Sequence, residues 1–213
     1  MHFSKIFCLP AALFISWAIS CSSTGSKVEL GDKPDIFAAP KGNTSINWNP
    51  NVLVEDFMVE SLEVFKNVDL GIKPLSDART NKDNIGTVTS NGQPKTVIPD
   101  SDISSWCTKN LISGLKFLGL KSVAKNGSFS FEGEVSTFSI QQDITMRGEI
   151  GLSLSCSKDG LTVWEGRIQG HSELYVIPSG SDGISECMSN TLINAIYNLL
   201  NDKSFVDAVK KSK

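Results

Sequence analysis

Histidine is nearly missing from this chain, with two in 213 residues. His2 falls in the first few residues, so His171 stands alone in the rest. A nucleophile–His–carboxylate triad needs an imidazole held between a Ser or Cys and an acid. Ser172 and Glu173 flank His171 in sequence, but neighbours on a strand point to opposite faces. No G-x-S-x-G elbow occurs, and His171 reads as a surface strand residue. Cysteines at metal-binding spacing are also missing. Cys107, Cys156 and Cys187 are widely scattered with no C-x-x-C, which excludes the usual zinc patterns. There is no strand–GxxxxGK–helix phosphate loop; Ser179-Gly180-Ser181-Asp182-Gly183 reads as a loop capping a helix. No surplus of basic charge exists. Twenty Lys and Arg stand against 23 Asp and Glu, a net charge of −3. Such a balance excludes the footprint of a nucleic-acid binder and leaves no polybasic patch for anionic headgroups. Nor is there an apolar run long enough to span a bilayer. No cofactor, metal or catalytic set is expected, and the chain reads as a non-enzyme.

What is present begins at the N-terminus. Lys5 supplies a short positive region. Ile6 to Ile19 is apolar apart from Ser16, with Pro10 as a break, which is the length of a signal peptide's apolar core. It ends in Ala18-Ile19-Ser20-Cys21, followed by Ser22-Ser23-Thr24-Gly25-Ser26. We read residues 1–20 as a lipoprotein signal and Cys21 as the acylated first residue of the mature chain. Ala18 stands where a lipobox usually has Leu. The competing reading has a general signal peptidase cutting nearby and Cys21 remaining an ordinary thiol. Removing Lys5 leaves nineteen basic against 23 acidic residues, a net charge of about −4. Membrane attachment is therefore expected from the lipid alone. Ser22, rather than Asp, after the Cys argues against inner-membrane retention, so the expected location is the outer membrane, facing the periplasm. Residues 21–50, rich in Ser, Gly, Asn, Pro, Lys and Asp, read as the lipidated Cys and a flexible tether, with Ile46 and Trp48 able to pack on the domain. Residues 51–213 read as a single domain.

Within that domain, residues 52–65 are ambiguous between helix and strand. Val68, Leu70 and Ile72 alternate with Asp69, Gly71 and Lys73, the pattern of a half-buried strand. Residues 76–98 read as a long polar loop with an Asn91-Gly92 turn. Asp100, Ser101 or Asp102 caps a helix with the stripe Ile103, Cys107, Leu111, Leu115 and Leu118. Strands follow at 128–135, 149–156, 161–171 and 173–177, the middle pair joined by Ser157-Lys158-Asp159-Gly160. A second helix carries Ile184, Met188, Leu192, Ile196 and Leu199. Ser204 caps a short third helix ending in Lys210-Lys211. Strands with one apolar face need one covering layer. The expected fold is α+β: a two-layer sandwich with an antiparallel-rich sheet, mixed pairing being allowed by the first strand. Two main helices pack on one face, and a short C-terminal helix follows. The other sheet face is polar and open.

These residues resemble the YajG-like family of bacterial lipoproteins. The resemblance runs over about residues 64–210. It rests on the lipobox Cys, a strand ending in Asp77-Ala78-Arg79, and the turn-rich loop after it. It continues in the Leu118-Gly119-Leu120 stop and in Glu149-Ile150-Gly151-Leu152 leading to Val163-Trp164-Glu165-Gly166-Arg167 and Gly170. Leu199-Leu200 and then Asp202-Lys203-Ser204-Phe205-Val206 complete it. The longer N-terminal segment and the cysteines depart from the pattern. The resemblance implies a lipid-anchored periplasmic domain and carries over no catalytic residues.

Two further sets matter. Glu132, Glu134 and Glu149 look paired but sit on the expected open, solvated face, a poor place for acid–base chemistry. Asp77 and Arg79 read as a local pair that orders the following loop. Exported domains meet an oxidising compartment, and three mature cysteines besides Cys21 allow at most one internal bridge. Cys107 and Cys187 both fall in first helical turns, and their pairing is the expected bridge. Cys156 is the competing partner, and three buried free thiols are the remaining alternative. The expected role is a cell-envelope lipoprotein with a binding or structural domain, its partner another envelope protein or the cell wall and not nucleic acid. An auxiliary lipoprotein of a lipid or lipopolysaccharide transport system is the second reading.

Overall fold

The computed structural model describes residues 42–53, 57, 62–90, 93–175 and 181–213. The signal segment, Cys21, the Asn91-Gly92 turn and the 176–180 loop lie outside the described residues. The described chain is α+β, with one mixed sheet of eight strands and four helices.

Strand β6 (Phe129–Gln142) is the spine. On one side it pairs antiparallel with β7 (Met146–Lys158), which pairs antiparallel with β8 (Leu161–Leu174). On its other side three short strands follow one another, all parallel to it: β1 (Leu70–Ile72), β2 (Ser76–Asp77) and β3 (Gly86–Ser90). β4 (Gln93–Val97) forms a hairpin with β3, and β5 (Val123–Ala124) lies parallel to β1. The polar 76–98 segment is thus partly sheet. β8 runs unbroken to Leu174, where the sequence pattern suggests two strands.

Period-two alternation sorts the faces. In β7, Met146, Ile150, Leu152, Leu154 and Cys156 are buried, while Arg147, Glu149, Ser153 and Ser155 turn the other way. The β7–β8 turn places Asp159 at φ 51° and Gly160 at φ 80°, the left-handed pair that a tight two-residue hairpin requires.

Helix α2 (Ile103–Phe117) starts where the Asp102 carboxylate accepts the Ser105 amide at 2.7 Å. Helix α3 (Ser181–Asn201) buries Ile184, Met188, Leu192, Ile196 and Leu199. Its close seat on β7 and β8 depends on two glycines. A Cβ at Gly170 would stand 2.1 Å from the Thr191 carbonyl oxygen, and one at Gly148 would stand 2.3 Å from Thr191 Oγ1. Helix α4 (Lys203–Lys211) is capped by Asp202, which accepts the Phe205 amide at 2.8 Å. Phe205 stacks among Phe65, Phe131 and Trp164, with ring centroids 5.1–5.4 Å apart. Phe65 comes from the short helix α1 (Leu62–Phe65).

The end of the segment read as a tether packs on the body, with Ile46 buried and Trp48 half-buried. Residues 44–51 form an extended strap against the body. Thr44 exchanges backbone hydrogen bonds with Ile98 and Asp100. Asn47, Asn49 and Asn51 then donate their amides to Ser185 Oγ, Ser189 Oγ and Asn190 Oδ1 at 2.9–3.0 Å. Trp106 Nε1 donates to the Ile46 carbonyl at 2.7 Å. An extended chain laid against the body needs acceptors for its half-buried amides, and the polar side chains of α3 supply them.

Candidate functional site

The sheet face turned away from α3 carries the exposed and half-buried polar side chains of β6, β7 and β8. Cross-strand rows are set by the register. Glu134, Ser153 and Arg167 form one row, and Glu132, Ser155 and Glu165 the next. Further along come Ser139, Glu149 and His171, then Gln141, Arg147 and Glu173. Lys73 bonds Glu132 at 2.9 Å across the face. Glu173 accepts from Thr145 Oγ1 at 2.7 Å, Arg147 Nε at 3.0 Å and Tyr175 Oη at 3.2 Å. The Thr145 and Arg147 hydrogen bonds hold its carboxyl below the usual range.

Two shallow hollows of about 430 Å³ each lie on this face. Glu132, Glu134, Ser153 and Glu165 line one; Gln141, Arg147, Glu149 and His171 line the other. Hydroxyls, carboxylates and two guanidiniums in solvent suit reversible recognition of a polar surface. The three expected glutamates are here, Glu132 and Glu134 on β6 and Glu149 on β7. His171 shares the face, but Ser172 does not. Its hydroxyl lies against α3, 2.9 Å from the Cys187 carbonyl and 2.7 Å from Thr191 Oγ1.

Asp77 and Arg79 are brought together. Arg79 Nε and Nη2 meet the two carboxylate oxygens of Asp77 at 3.0 and 2.9 Å. The Arg79 amide adds a third bond to Oδ1 at 3.0 Å, and Nη1 reaches the Asn84 carbonyl at 3.5 Å. Arg79 is 7% exposed. Burial pushes the Asp77 carboxyl up, but the hydrogen bonds and charge of Arg79 outweigh it and bring it below the ordinary range. A guanidinium engaged by its own loop has little left for a ligand.

The cysteines correct an expectation. Cys107, Cys156 and Cys187 are buried free thiols, and the Cys107–Cys187 bridge is not formed. The two helices bring the thiols into different seams. Cys187 Sγ faces the Ser172 hydroxyl at 3.4 Å and the Met146 carbonyl at 3.8 Å, at the β7–β8 end. Cys107 sits within electrostatic reach of Asp77, Arg79 and Asp102. Burial raises all three thiols, Cys156 to about 12, so none is a ready nucleophile at neutral pH. Among the described residues no group of three or more His, Cys, Asp or Glu is placed to hold a metal ion. No helix among them is long and apolar enough to cross a membrane.

Sequence reasoning missed the polar residues that do work on α3. Ser185, Ser189 and Asn190 receive the strap. Asn194 Oδ1 accepts the His171 amide at 3.0 Å, and Asn198 Nδ2 donates to the Gln169 carbonyl at 2.7 Å. The available signal was a run of small polar residues on a helix otherwise apolar on most sides.

No family model and no curated protein matches the sequence. Solved structures match by shape. A DUF330-family protein of Xanthomonas campestris is 11% identical, covers 83% of this chain and 99% of its own, and has a TM-score of 0.48. The PelC dodecamer of Paraburkholderia phytofirmans is 10% identical, covers 62% of this chain and 85% of that one, and has a TM-score of 0.39. A Caulobacter crescentus protein provisionally named a lipoprotein is 12% identical, covers 51% and 81%, and has a TM-score of 0.34. None of these likenesses transfers a role to this chain.

Proposed function

We propose that this chain is a lipid-anchored protein of the bacterial cell envelope, related to the YajG-like lipoproteins. Its body is a non-catalytic binding domain, a two-layer sandwich with a helical layer on one sheet face and the polar face left for a partner. The carrying observation is the apolar run that ends in Ala18-Ile19-Ser20-Cys21, ahead of a body in which, among the described residues, Thr44 pairs its backbone with Ile98 and Asp100. One buried methylene contributes about 0.8 kcal/mol, so two or three acyl chains on Cys21 hold the protein where one does not. The stretch between Cys21 and Thr44 reaches at most about 80 Å when fully extended, enough to present the body to an envelope protein or to the cell wall. Ser22 favours the outer membrane, facing the periplasm. Fractionation tests the anchor. The wild type is expected in the membrane pellet after a high-salt wash, and Cys21→Ser in the soluble fraction; a Cys21→Ser protein that stays in the pellet defeats the reading.

A second reading, an auxiliary lipoprotein of a lipid or lipopolysaccharide transport system, is favoured by one feature. A cleft of about 770 Å³ runs between α2 and residues 72–75, with Leu75 and Ile112 on its floor and Lys109 and Lys125 at its rim. Intact complexes weighed by native mass spectrometry should carry bound lipid if this reading holds, and bare protein excludes it.

A further inference from the structure

Among the described residues, the 14-residue strand β8 pairs with β7 alone. Its other edge is a row of backbone donors and acceptors, a template that folded proteins usually cover or blunt. One end of that edge is blunted. Asn194 takes the His171 amide and Asn198 bonds the Gln169 carbonyl, so both backbone groups point away from β7. The β7–β8 register runs without a shift from Met146↔Leu174 to Cys156↔Trp164. In an antiparallel pair the outward-pointing residues recur every second position. Glu165 and Arg167 are therefore in phase with Gln169 and His171, and their amides and carbonyls face the same edge. No described side chain seals them.

The two side chains there carry opposite charges. Both are exposed on the polar sheet face. A row of lysines would repel a second edge; an alternating Glu and Arg does not. We propose that the chain pairs with a second copy of itself, β8 against β8, antiparallel about a twofold axis at Gly166. In that register Glu165 lies opposite the partner's Arg167, and Arg167 lies opposite the partner's Glu165. Each pair exchanges two backbone hydrogen bonds, and the contact is self-complementary, as a closed dimer requires. Registers centred on Glu165 or Arg167 set like charges against each other. The asparagines stop the new ladder beyond Arg167, so the dimer is short-edged and reversible. It joins two polar sheet faces into one surface.

The test uses the full chain in mild detergent, with protein mass read by light scattering. The wild type is expected as a dimer at about 100 μM, in equilibrium with monomer on dilution. Glu165→Arg alone and Arg167→Glu alone each place like charges at both contacts, and each should raise the dissociation constant roughly tenfold or more. The double variant carrying both swaps restores the complementarity and should return to the wild-type constant. A monomeric wild type overturns the proposal, as does a double variant no tighter than the single ones. Amide exchange at Glu165 and Arg167 gives an independent readout. Protection is expected to rise with protein concentration; protection independent of concentration would mean that a segment of the same chain covers the edge, and the proposal fails.

Discussion

A buried guanidinium is stable only while its counter-charge stays in place. Arg79 is held by both oxygens of Asp77, with side chains 6% and 15% exposed. Removing one partner of such a pair costs about 3–5 kcal/mol, because the other charge is left buried. Arg79→Leu should lower unfolding stability by that amount in a urea titration, and adding Asp77→Asn should recover part of the loss. The same carboxyl gives a pH dependence. In the folded chain Asp77, Asp102 and Asp202 all lie below their ordinary values. Hydrogen bonds from the Ser104 hydroxyl and Ser105 amide hold Asp102, and those from Ser204 and the Phe205 amide outweigh burial at Asp202. Depressed carboxyls add stability above the unfolded value and lose it as pH falls through the folded one. Urea midpoints should stay flat from neutrality to about pH 5 and fall below about pH 4. The thiols behave oppositely, since burial raises them and favours the neutral form. Cys107, Cys156 and Cys187 should react with a thiol reagent only when the chain unfolds, and a non-reducing gel should show no intramolecular bridge.

Elements seat on one another through small residues and polar acceptors as much as through apolar stripes. Gly170 lets the Thr191 carbonyl approach β8, so Gly170→Val must lift α3 away from its contacts at Thr191 and Ala195. Overpacking of this kind costs about 3 kcal/mol, and the loss should appear as a lower thermal midpoint. The strap predicts a smaller effect. Ser189→Ala strands the Asn49 amide and should cost about 1–2 kcal/mol in the same assay.

These elements also mark where sequence reading succeeds. The caps at Asp102, the turn at Asp159-Gly160 and the stripe from Ile184 to Leu199 are local signals, and each falls on its element. The β3–β4 hairpin leaves no such signal, because Gln93 to Thr96 are all exposed and only Val97 is buried. β1 misleads in the other direction. Gly71 occupies an expected outward position but is buried, with the Asn126–Gly127 backbone close above it. The strap is half legible: Ile46 and Trp48 announce their burial, whereas the acceptors for its amides lie about 140 residues away on α3. The cysteine pairing depends on the rotation of two helices, which spacing alone does not specify. The exposed side chains of β7 and β8 read well from alternation, because neighbours on a strand take opposite faces.

At the scale of the whole molecule, the net charge is −3 and no described helix is long and apolar enough to cross a membrane, so the proposed lipid on Cys21 is the feature to test. The strap lies beside α3 and α2, through the amides of Asn47, Asn49 and Asn51 and the Trp106–Ile46 hydrogen bond. The most direct measurement is metabolic labelling with radioactive palmitate, followed by intact mass of the mature chain. The account predicts label in the wild type, none in Cys21→Ser, and a mass that begins at Cys21 and carries added acyl chains. An unlabelled wild type, or a mature chain whose first residue is not Cys21, would contradict it.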